Sequence, residues 1–263
     1  MMNGLPMFRF ILALTIALAT GPSWADSAAL KTLRTAADSR GWEGVGRLNF
    51  GTGSFCTAAL VTTDVVLTAA HCLFERQSGQ RIPLDRLEFQ AGLRFGHADA
   101  KRGVLRTVVH PGYSFTNPDR LMGVGNDLAL LQLDQPVPEE RIRPFRRRVT
   151  VDTGQRVHVI SYAKDRAEAP AREDDCGVLT RDADILVLSC SVDFGSSGAP
   201  VFAELDGEVR LISVISAKAE WEGRPVALAA AMENDIDMLL HAFDREAGAA
   251  DAAARQVDLA FGH

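Results

Sequence analysis

Three short segments of this 263-residue chain each place one reactive side chain beside small or apolar neighbours. In the first, His71 follows a β-type run and two alanines, which leave space for its ring. In the second, Asp127 stands at the head of the apolar run 128–133, and in the third Ser197 lies within a Gly-Ser-Ser-Gly sequence. Serine, histidine and aspartate are the side chains that activate a hydroxyl group for nucleophilic catalysis.

Together these side chains supply the parts of an acyl-transfer site. A serine hydroxyl is a poor nucleophile until a neutral imidazole takes its proton, and a carboxylate on the far ring nitrogen fixes the tautomer. We therefore interpret Ser197 as the nucleophile, His71 as the base and Asp127 as the orienting acid. The glycines around Ser197 permit a tight turn, so the backbone N–H groups of Gly195 and Ser197 are expected to face the developing oxyanion.

Each of these residues has an ordinary structural interpretation when it is considered alone. His71 could be a core histidine, Asp127 a turn cap with Asp134 as a weaker rival acid, and Ser197 a serine of a flexible loop. Their joint occurrence favours the catalytic interpretation. The other histidines are interpreted as structural or surface residues, with His110 and His158 in the first group and His97, His241 and His263 in the second.

The elements that must position these residues are short β-type runs. From Trp42 onward, apolar runs alternate with Gly, Asp, Asn and Pro, which is typical of a sandwich or barrel rather than a βαβ fold. The predicted strands are 45–50, 57–61, 65–68, 87–91, 104–110, 128–133, 157–161, 185–190, 200–203, 209–216 and 226–231.

Two further segments have distinct patterns. Asn234 or Asp235 can cap a C-terminal helix whose apolar residues recur at helical spacing, namely Ile236, Leu239, Leu240 and Phe243. Residues 162–175 are rich in charge, alanine and proline, and are predicted to form a surface loop between two strand-rich halves.

The first 25 residues have the layout of a cleavable secretory signal. Arg9 precedes the apolar run 10–19, and Ser23-Trp24-Ala25 forms a small-residue cleavage pattern. The run is shorter than the roughly 20 residues that a membrane span needs, although a retained anchor is the alternative. We predict export to the periplasm or outside the cell, without a stable membrane anchor after signal cleavage. Residues 26–41 are predicted to be a leader or short pro-segment, and residues 247–263 a disordered tail.

Export gives the four cysteines a meaning. An even number in an oxidising compartment indicates disulfides, and four cysteines allow three pairings. We favour Cys56–Cys72 and Cys176–Cys190, because each pair flanks a local antiparallel turn. The alternative, a zinc site, would need a Cys-x-x-Cys sequence or histidines at ligand spacing, which the chain lacks. No metal and no cofactor are therefore expected.

The net charge of −6 argues against a general nucleic-acid binder, which needs a basic surface to displace counterions. The dense basic cluster Arg146-Arg147-Arg148 is interpreted as a solvated loop, with a docking patch as the alternative.

The segments TAAHC, NDLALL and GSSGAP, in the order His71, Asp127, Ser197, resemble the chymotrypsin/trypsin superfamily, in particular its exported bacterial branch that includes glutamyl endopeptidases. The Val-His-Pro-Gly-Tyr sequence at 109–113 and the Val-Ile-Ser sequence at 214–216 are similar too. The resemblance implies an all-β fold of two antiparallel six-stranded barrels, 42–140 and 141–231, with a C-terminal helix extending the second domain to 246. It also implies a serine endopeptidase that forms an acyl-enzyme with protein or peptide substrates, with a monomer favoured.

The departures from the trypsin pattern bear on activation and specificity. Ser196 stands where trypsin-like zymogens have the aspartate that pairs with a newly cut N-terminus, so this activation switch is predicted to be absent. Ser191 stands where trypsin has its pocket aspartate, so no strong Arg/Lys preference is expected. The resemblance places Val192, Ile215, Ala217 and Lys218 in the walls of the substrate pocket, which would be apolar or mixed, or would favour an acidic side chain through Lys218.

Two rival functions belong to other classes. One is a binding protein with a protease fold and no catalysis. The other is an α/β-hydrolase esterase, which needs the order Ser…Asp…His and alternating strands and helices. Only His241 and His263 follow Ser197, and the pattern is rich in strands, so the esterase is disfavoured.

Overall fold

The computed structural model describes residues 30–245 apart from 52, 118, 119, 148, 149, 233 and 234. The predicted secretory signal and the whole of the predicted tail, 247–263, lie outside the described residues, as does Asn234. Strands dominate the described residues and close into two antiparallel barrels, which confirms the predicted fold class. A short strand, β1 (Lys31–Thr32), precedes both barrels.

Barrel 1 closes in the order β2-β3-β4-β7-β6-β5. Its strands are β2 (Val45–Asn49), β3 (Phe55–Leu60), β4 (Val65–Thr68), β5 (Glu88–Ala91), β6 (Ala100–Val109) and β7 (Ala129–Leu133). Successive side chains of a strand point to opposite faces, and in β7 both faces are buried. Leu131 packs inside the barrel against the cluster of Leu48 and Phe89, whereas Leu130 joins the core between the barrels. The uninterrupted apolar run at 128–131 follows from this double burial.

Barrel 2 closes in the order β8-β9-β10-β13-β12-β11, with β11 pairing back to β8 and β1 attached at the side of β9. Its strands are β8 (Arg156–Ala163), β9 (Arg166–Asp182), β10 (Ile185–Leu188), β11 (Pro200–Leu205), β12 (Glu208–Trp221) and β13 (Arg224–Ala231).

The predicted surface loop at 162–175 is wrong. Tyr162 is fully buried at the end of β8, and most of the segment belongs to β9, which pairs with β8, β10 and β1. Sequence reasoning missed the strand because the buried positions in this part of it hold Ala169, Pro170, Ala171 and Glu173 rather than β-branched residues. Several of the charged side chains between them reach partly into solvent.

The predicted C-terminal helix is confirmed at residues 235–245. Ile236, Leu239 and Phe243 are buried in the core between the barrels. A second helix, α1 (Arg120–Gly125), was not predicted and precedes β7. In the described part of the chain, no helix is long and apolar enough to cross a bilayer.

Residues from 30 to 44 contact barrel 2. Lys31 and Thr32 pair with Arg172 and Ala171 of β9, and Leu33 is buried in the inter-barrel core. The ring of Trp42 lies 5.1 Å from that of Phe202. Removal of residues 26–41 as a pro-segment stays a prediction.

Both predicted disulfides are present. Cys56–Cys72 links β3 to the turn that carries His71, and Cys176–Cys190 links β9 to the segment leading to Ser197. Each crosslink therefore fixes a segment that bears a candidate catalytic residue.

Replacing Cys176 and Cys190 together by serine is expected to lower the free energy of unfolding by about 3 kcal/mol, because the crosslink restricts the unfolded chain. The two cysteines are 14 positions apart in sequence. Urea denaturation followed by circular dichroism measures the change, with wild type as the reference. An unchanged transition midpoint would contradict this role for the disulfide.

Candidate active site

His71 lies in a 3-10 turn (Ala70–Leu73) directly after β4. Its ring Nδ1 is 2.6 Å from Oδ2 of Asp127, and its backbone N–H donates to Oδ1 of the same carboxylate at 2.8 Å. A ring nitrogen that faces an ionised carboxylate carries the proton, which leaves Nε2 as the acceptor. This is the tautomer that a general base requires.

Asp127 is 2% exposed and lies just before β7. A buried carboxylate is costly unless donors surround it. Besides the two N–H groups of His71, the hydroxyl of Ser216 on β12 donates to Oδ2 at 2.5 Å. Burial raises the pKa of the Tyr113 hydroxyl, and the negative charge of Asp127 raises it further. Sequence reasoning did not give Ser216 a role, although the Val-Ile-Ser sequence around it was part of the family resemblance.

Ser197 lies in a turn of barrel 2 that is hydrogen-bonded to barrel 1. Thr57 of β3 binds this turn twice: its N–H donates to the carbonyl of Ser197, and its hydroxyl to the carbonyl of Gly195, each at 2.9 Å. Gly195 and Gly198 have φ angles of +98° and +73°, which favour glycine. A Cβ on Gly198 would lie 2.1 Å from Oγ1 of Thr68, so a side chain is excluded there.

The backbone of this turn leaves two donors available. The N–H groups of Ser196 and Gly198 donate to the carbonyls of Asp193 and Ile215. In contrast, the N–H groups of Gly195 and Ser197 have no acceptor among the residues described. These two groups are the predicted oxyanion donors: one belongs to Ser197 itself and the other to the glycine two positions before it.

A cavity of about 340 Å³ is lined by Ser197, His71 and Asp127 together. The structure thus brings the three candidate residues to one cleft, with His71 and Asp127 from barrel 1 and Ser197 from barrel 2. Within the described residues, no direct hydrogen bond joins the Ser197 hydroxyl to His71. Such contacts are often loose in enzymes without substrate.

Four of the five predicted pocket residues line the same cavity, namely Val192, Ile215, Ala217 and Lys218. Ser191 does not line it. The N–H of Ser191 instead donates to both carboxylate oxygens of the buried Glu173 at 2.9 Å.

Charged groups surround the mouth of the cavity. Lys218 pairs with Asp193 at 3.1 Å, and a backbone N–H from Phe194 together with Lys218 lowers the pKa of the Asp193 carboxyl. The exposed ring of Phe194 makes two cation–π contacts. Nζ of Lys218 and Cζ of Arg76 each lie 4.9 Å from its centre. Arg76 and Phe194 were not predicted. No local pattern marks Arg76 as a cleft residue, and Phe194 directly precedes the GSSGAP segment but was given no role.

The other candidate groups lie elsewhere. Nδ1 of His110 accepts from the N–H of Gly112 and its Nε2 is 3.4 Å from Asp235, while His158 contacts Asp174 at 2.9 Å. Neither histidine lines the cavity. In the basic cluster, Arg146 and Arg147 are close to carboxylates, those of Glu208 and Asp237, and Arg148 lies outside the described residues.

One group of ligand-type side chains has metal-like proximity: the donor atoms of Cys56, His71 and Cys72 lie within 4.8 Å of one another. Both sulfurs are consumed in a disulfide. The group therefore offers no pair of thiolates, which a zinc site of this kind needs.

Comparisons with known proteins agree with this geometry. The Trypsin family model matches residues 34–230. The chain is 35% identical to trypsin from Phaedon cochleariae over 92 residues, which are 34% of this chain and 32% of that protein. It is 36% identical to granzyme M from Rattus norvegicus over 95 residues, 34% of this chain and 31% of that protein. The aligned segments span about a third of the length of these curated relatives.

A solved structure has the same fold. The structure of a Glu endopeptidase in complex with MPD matches with a TM-score of 0.68 and 17% identity, covering 83% of this chain and 97% of that one. At this level of identity the likeness establishes the fold.

Replacing Gly198 by alanine is expected to lower the free energy of unfolding by at least about 2 kcal/mol more than the matched change Gly223→Ala. Both glycines have similar φ angles, +73° and +71°, but a Cβ on Gly223 meets nothing within 4 Å. The comparison isolates the close approach of Thr68 from backbone strain. Chemical denaturation of both variants measures it, and equal losses would contradict the predicted clash.

Proposed function

Because the chain belongs to the trypsin family of serine proteases, we propose that it is a serine endopeptidase that hydrolyses peptide bonds through an acyl-enzyme on Ser197. The observation that carries the proposal is the double hydrogen bond between Asp127 and His71, on the wall of the cavity that Ser197 lines.

In the proposed mechanism, Nε2 of His71 takes the proton of the Ser197 hydroxyl as its oxygen attacks the substrate carbonyl. Asp127 holds the ring orientation and stabilises the imidazolium that forms. The N–H groups of Gly195 and Ser197 bind the developing oxyanion, and one such donor is worth about 3 kcal/mol. His71 then gives its proton to the leaving amine. In the second half of the reaction, His71 takes a proton from a water molecule as the water oxygen attacks the acyl-enzyme carbonyl. His71 then returns this proton to the oxygen of Ser197, and the acid product is released.

The substrates are proposed to be proteins or peptides. Val192, Ile215, Ala217 and Lys218 would form the pocket walls. The charge of Lys218 is engaged by Asp193, which favours a mixed pocket over a strictly acidic preference. Since position 191 is a serine, nothing there rewards an arginine or lysine side chain.

Export is part of the proposal. Two disulfides favour an oxidising compartment, which for this chain would be the periplasm or the medium outside the cell. The N-terminal sequence 1–25 supports it through its signal-like layout.

A fluorophosphonate probe is expected to label the protein, because an activated serine attacks phosphorus as it attacks a carbonyl. Labelling should be lost in Ser197→Ala and retained in the matched variant Ser78→Ala, which changes an exposed serine. Incubation of the same proteins with a diverse peptide library gives the cleavage preference. Absence of both labelling and cleavage in folded wild type would favour the rival, a protease-fold binding protein without catalysis.

Peptidase activity is expected to fall as pH decreases, because a protonated imidazole cannot act as the base. The sign is fixed: acid removes activity and a return to neutral pH restores it. Initial rates on one peptide measure this profile, and a constant rate down to about pH 4 would contradict the role of His71 as base.

A further inference from the structure

A buried polar cluster lies behind the segment that carries Ser197. We define the nucleophile loop as residues 191–198. Ser196 in this loop is completely buried, and its hydroxyl lies 3.3 Å from that of Ser161 and 3.4 Å from the carbonyl of Tyr162. The pocket that receives Ser196 is therefore built by β8, and its floor is polar.

A cation occupies the same pocket. Nη2 of Arg166, the first residue of β9, donates to the hydroxyl of Ser161 at 2.9 Å and lies 3.5 Å from that of Ser196. The Arg166 side chain is only 12% exposed. Its ion-pair partner Asp165, at 3.2 Å, is 71% exposed. A guanidinium so far removed from water is costly unless the groups around it compensate.

A buried carboxylate, that of Glu173, binds the other end of the loop. It accepts the N–H of Ser191 with both oxygens. Burial raises the pKa of Glu173, while the Ser191 N–H and the positive charge of Arg166 act in the opposite direction. The arginine thus favours the ionised form that binds the start of the loop.

The hairpin between β8 and β9 also contacts the loop through its backbone. The N–H of Lys164 donates to the carbonyl of Phe194 at 2.7 Å. A Cβ on Gly195 would come within 3.0 Å of Cα of Ala163. The loop is consequently held at three places by this hairpin: at Ser191, at Phe194 and at Ser196.

We propose that Arg166 is a positioning residue, an internal cation that orders the nucleophile loop and so aligns the N–H groups of Gly195 and Ser197 without help from a cut N-terminus. The inference rests on the proposed peptidase function. Arg166 fills the pocket beside Ser196 from within the same barrel, so the loop order needs no processing of the chain.

The test compares wild type with Arg166→Met, which keeps an unbranched side chain about as long as the aliphatic part of arginine and removes the charged guanidinium. Arg94→Met is the matched control, because the Arg94 side chain is 11% exposed, is paired with Asp99 and does not line the cavity. Fluorophosphonate labelling rate, kcat and KM for one peptide, thermal midpoint and amide hydrogen exchange of residues 191–198 are measured for each protein.

We expect Arg166→Met to reduce kcat and the labelling rate by about 100-fold, the loss associated with small misplacement of reacting groups, with little change in KM. Exchange in the nucleophile loop should accelerate. Arg94→Met should leave labelling and loop exchange as in wild type. Arg166→Lys should recover part of the lost kcat, which a purely space-filling role would not produce.

If Arg166→Met is labelled at the wild-type rate and its nucleophile loop exchanges at the wild-type rate, the inference is overturned and the proposed function stays intact. A different outcome separates the two claims. If the wild-type protein is not labelled but Arg166→Met still accelerates exchange in the nucleophile loop, the positioning role is supported and the proposed function is overturned. If Arg166→Met does not fold, Ser161→Ala decides, since it removes the hydroxyl between Arg166 and Ser196. Slower labelling with faster loop exchange supports the inference, and wild-type values of both overturn it.

Discussion

The carboxylate of Asp127 is the constraint on which the rest of the site depends. It is almost fully buried, so its charge must be met by donors, and these come from both barrels: two N–H groups of His71 and the hydroxyl of Ser216. A buried charge is strongly destabilising when any of its partners is removed. The relative placement of the barrels is therefore tied to the same interaction that fixes the imidazole.

A second set of contacts extends this placement to Ser197, the proposed nucleophile. Thr57 of barrel 1 binds the carbonyls of Gly195 and Ser197 in barrel 2, so the turn and the histidine share one support. Glycine is required at 198 because barrel 1 approaches to contact distance there. The same residues therefore pack the two barrels together and fix the geometry of the proposed catalytic residues.

The far side of the turn is supported from within barrel 2. The hairpin of β8 and β9 places a buried guanidinium, that of Arg166, next to Ser196, and a buried carboxylate, that of Glu173, at Ser191. In the family pattern the residue at the position of Ser196 is an aspartate, which forms an ion pair with the N-terminus created when the zymogen is cut. Here an uncharged serine and an internal cation stand together, which links a local departure in sequence to a different way of ordering the loop.

The sequence by itself determined the strand-rich class, the C-terminal helix and the segments of His71, Asp127 and Ser197, because each leaves a local pattern of residue types. It favoured one of three possible cysteine pairings, which the structure then confirmed. Tertiary structure alone decided what meets at long range. Ser216 and Phe194 lie in or beside segments that carry the family resemblance, but their place in the cleft, like that of Arg76, follows only from the packing of the two barrels. Strand β9 was missed since its burial comes from pairing with three strands rather than from apolar alternation. The physical reason is that the periodicity of residue types along a helix or strand predicts only which face of that one element is buried. The composition of a site depends on which faces of different elements pack together, and this is set by the tertiary structure.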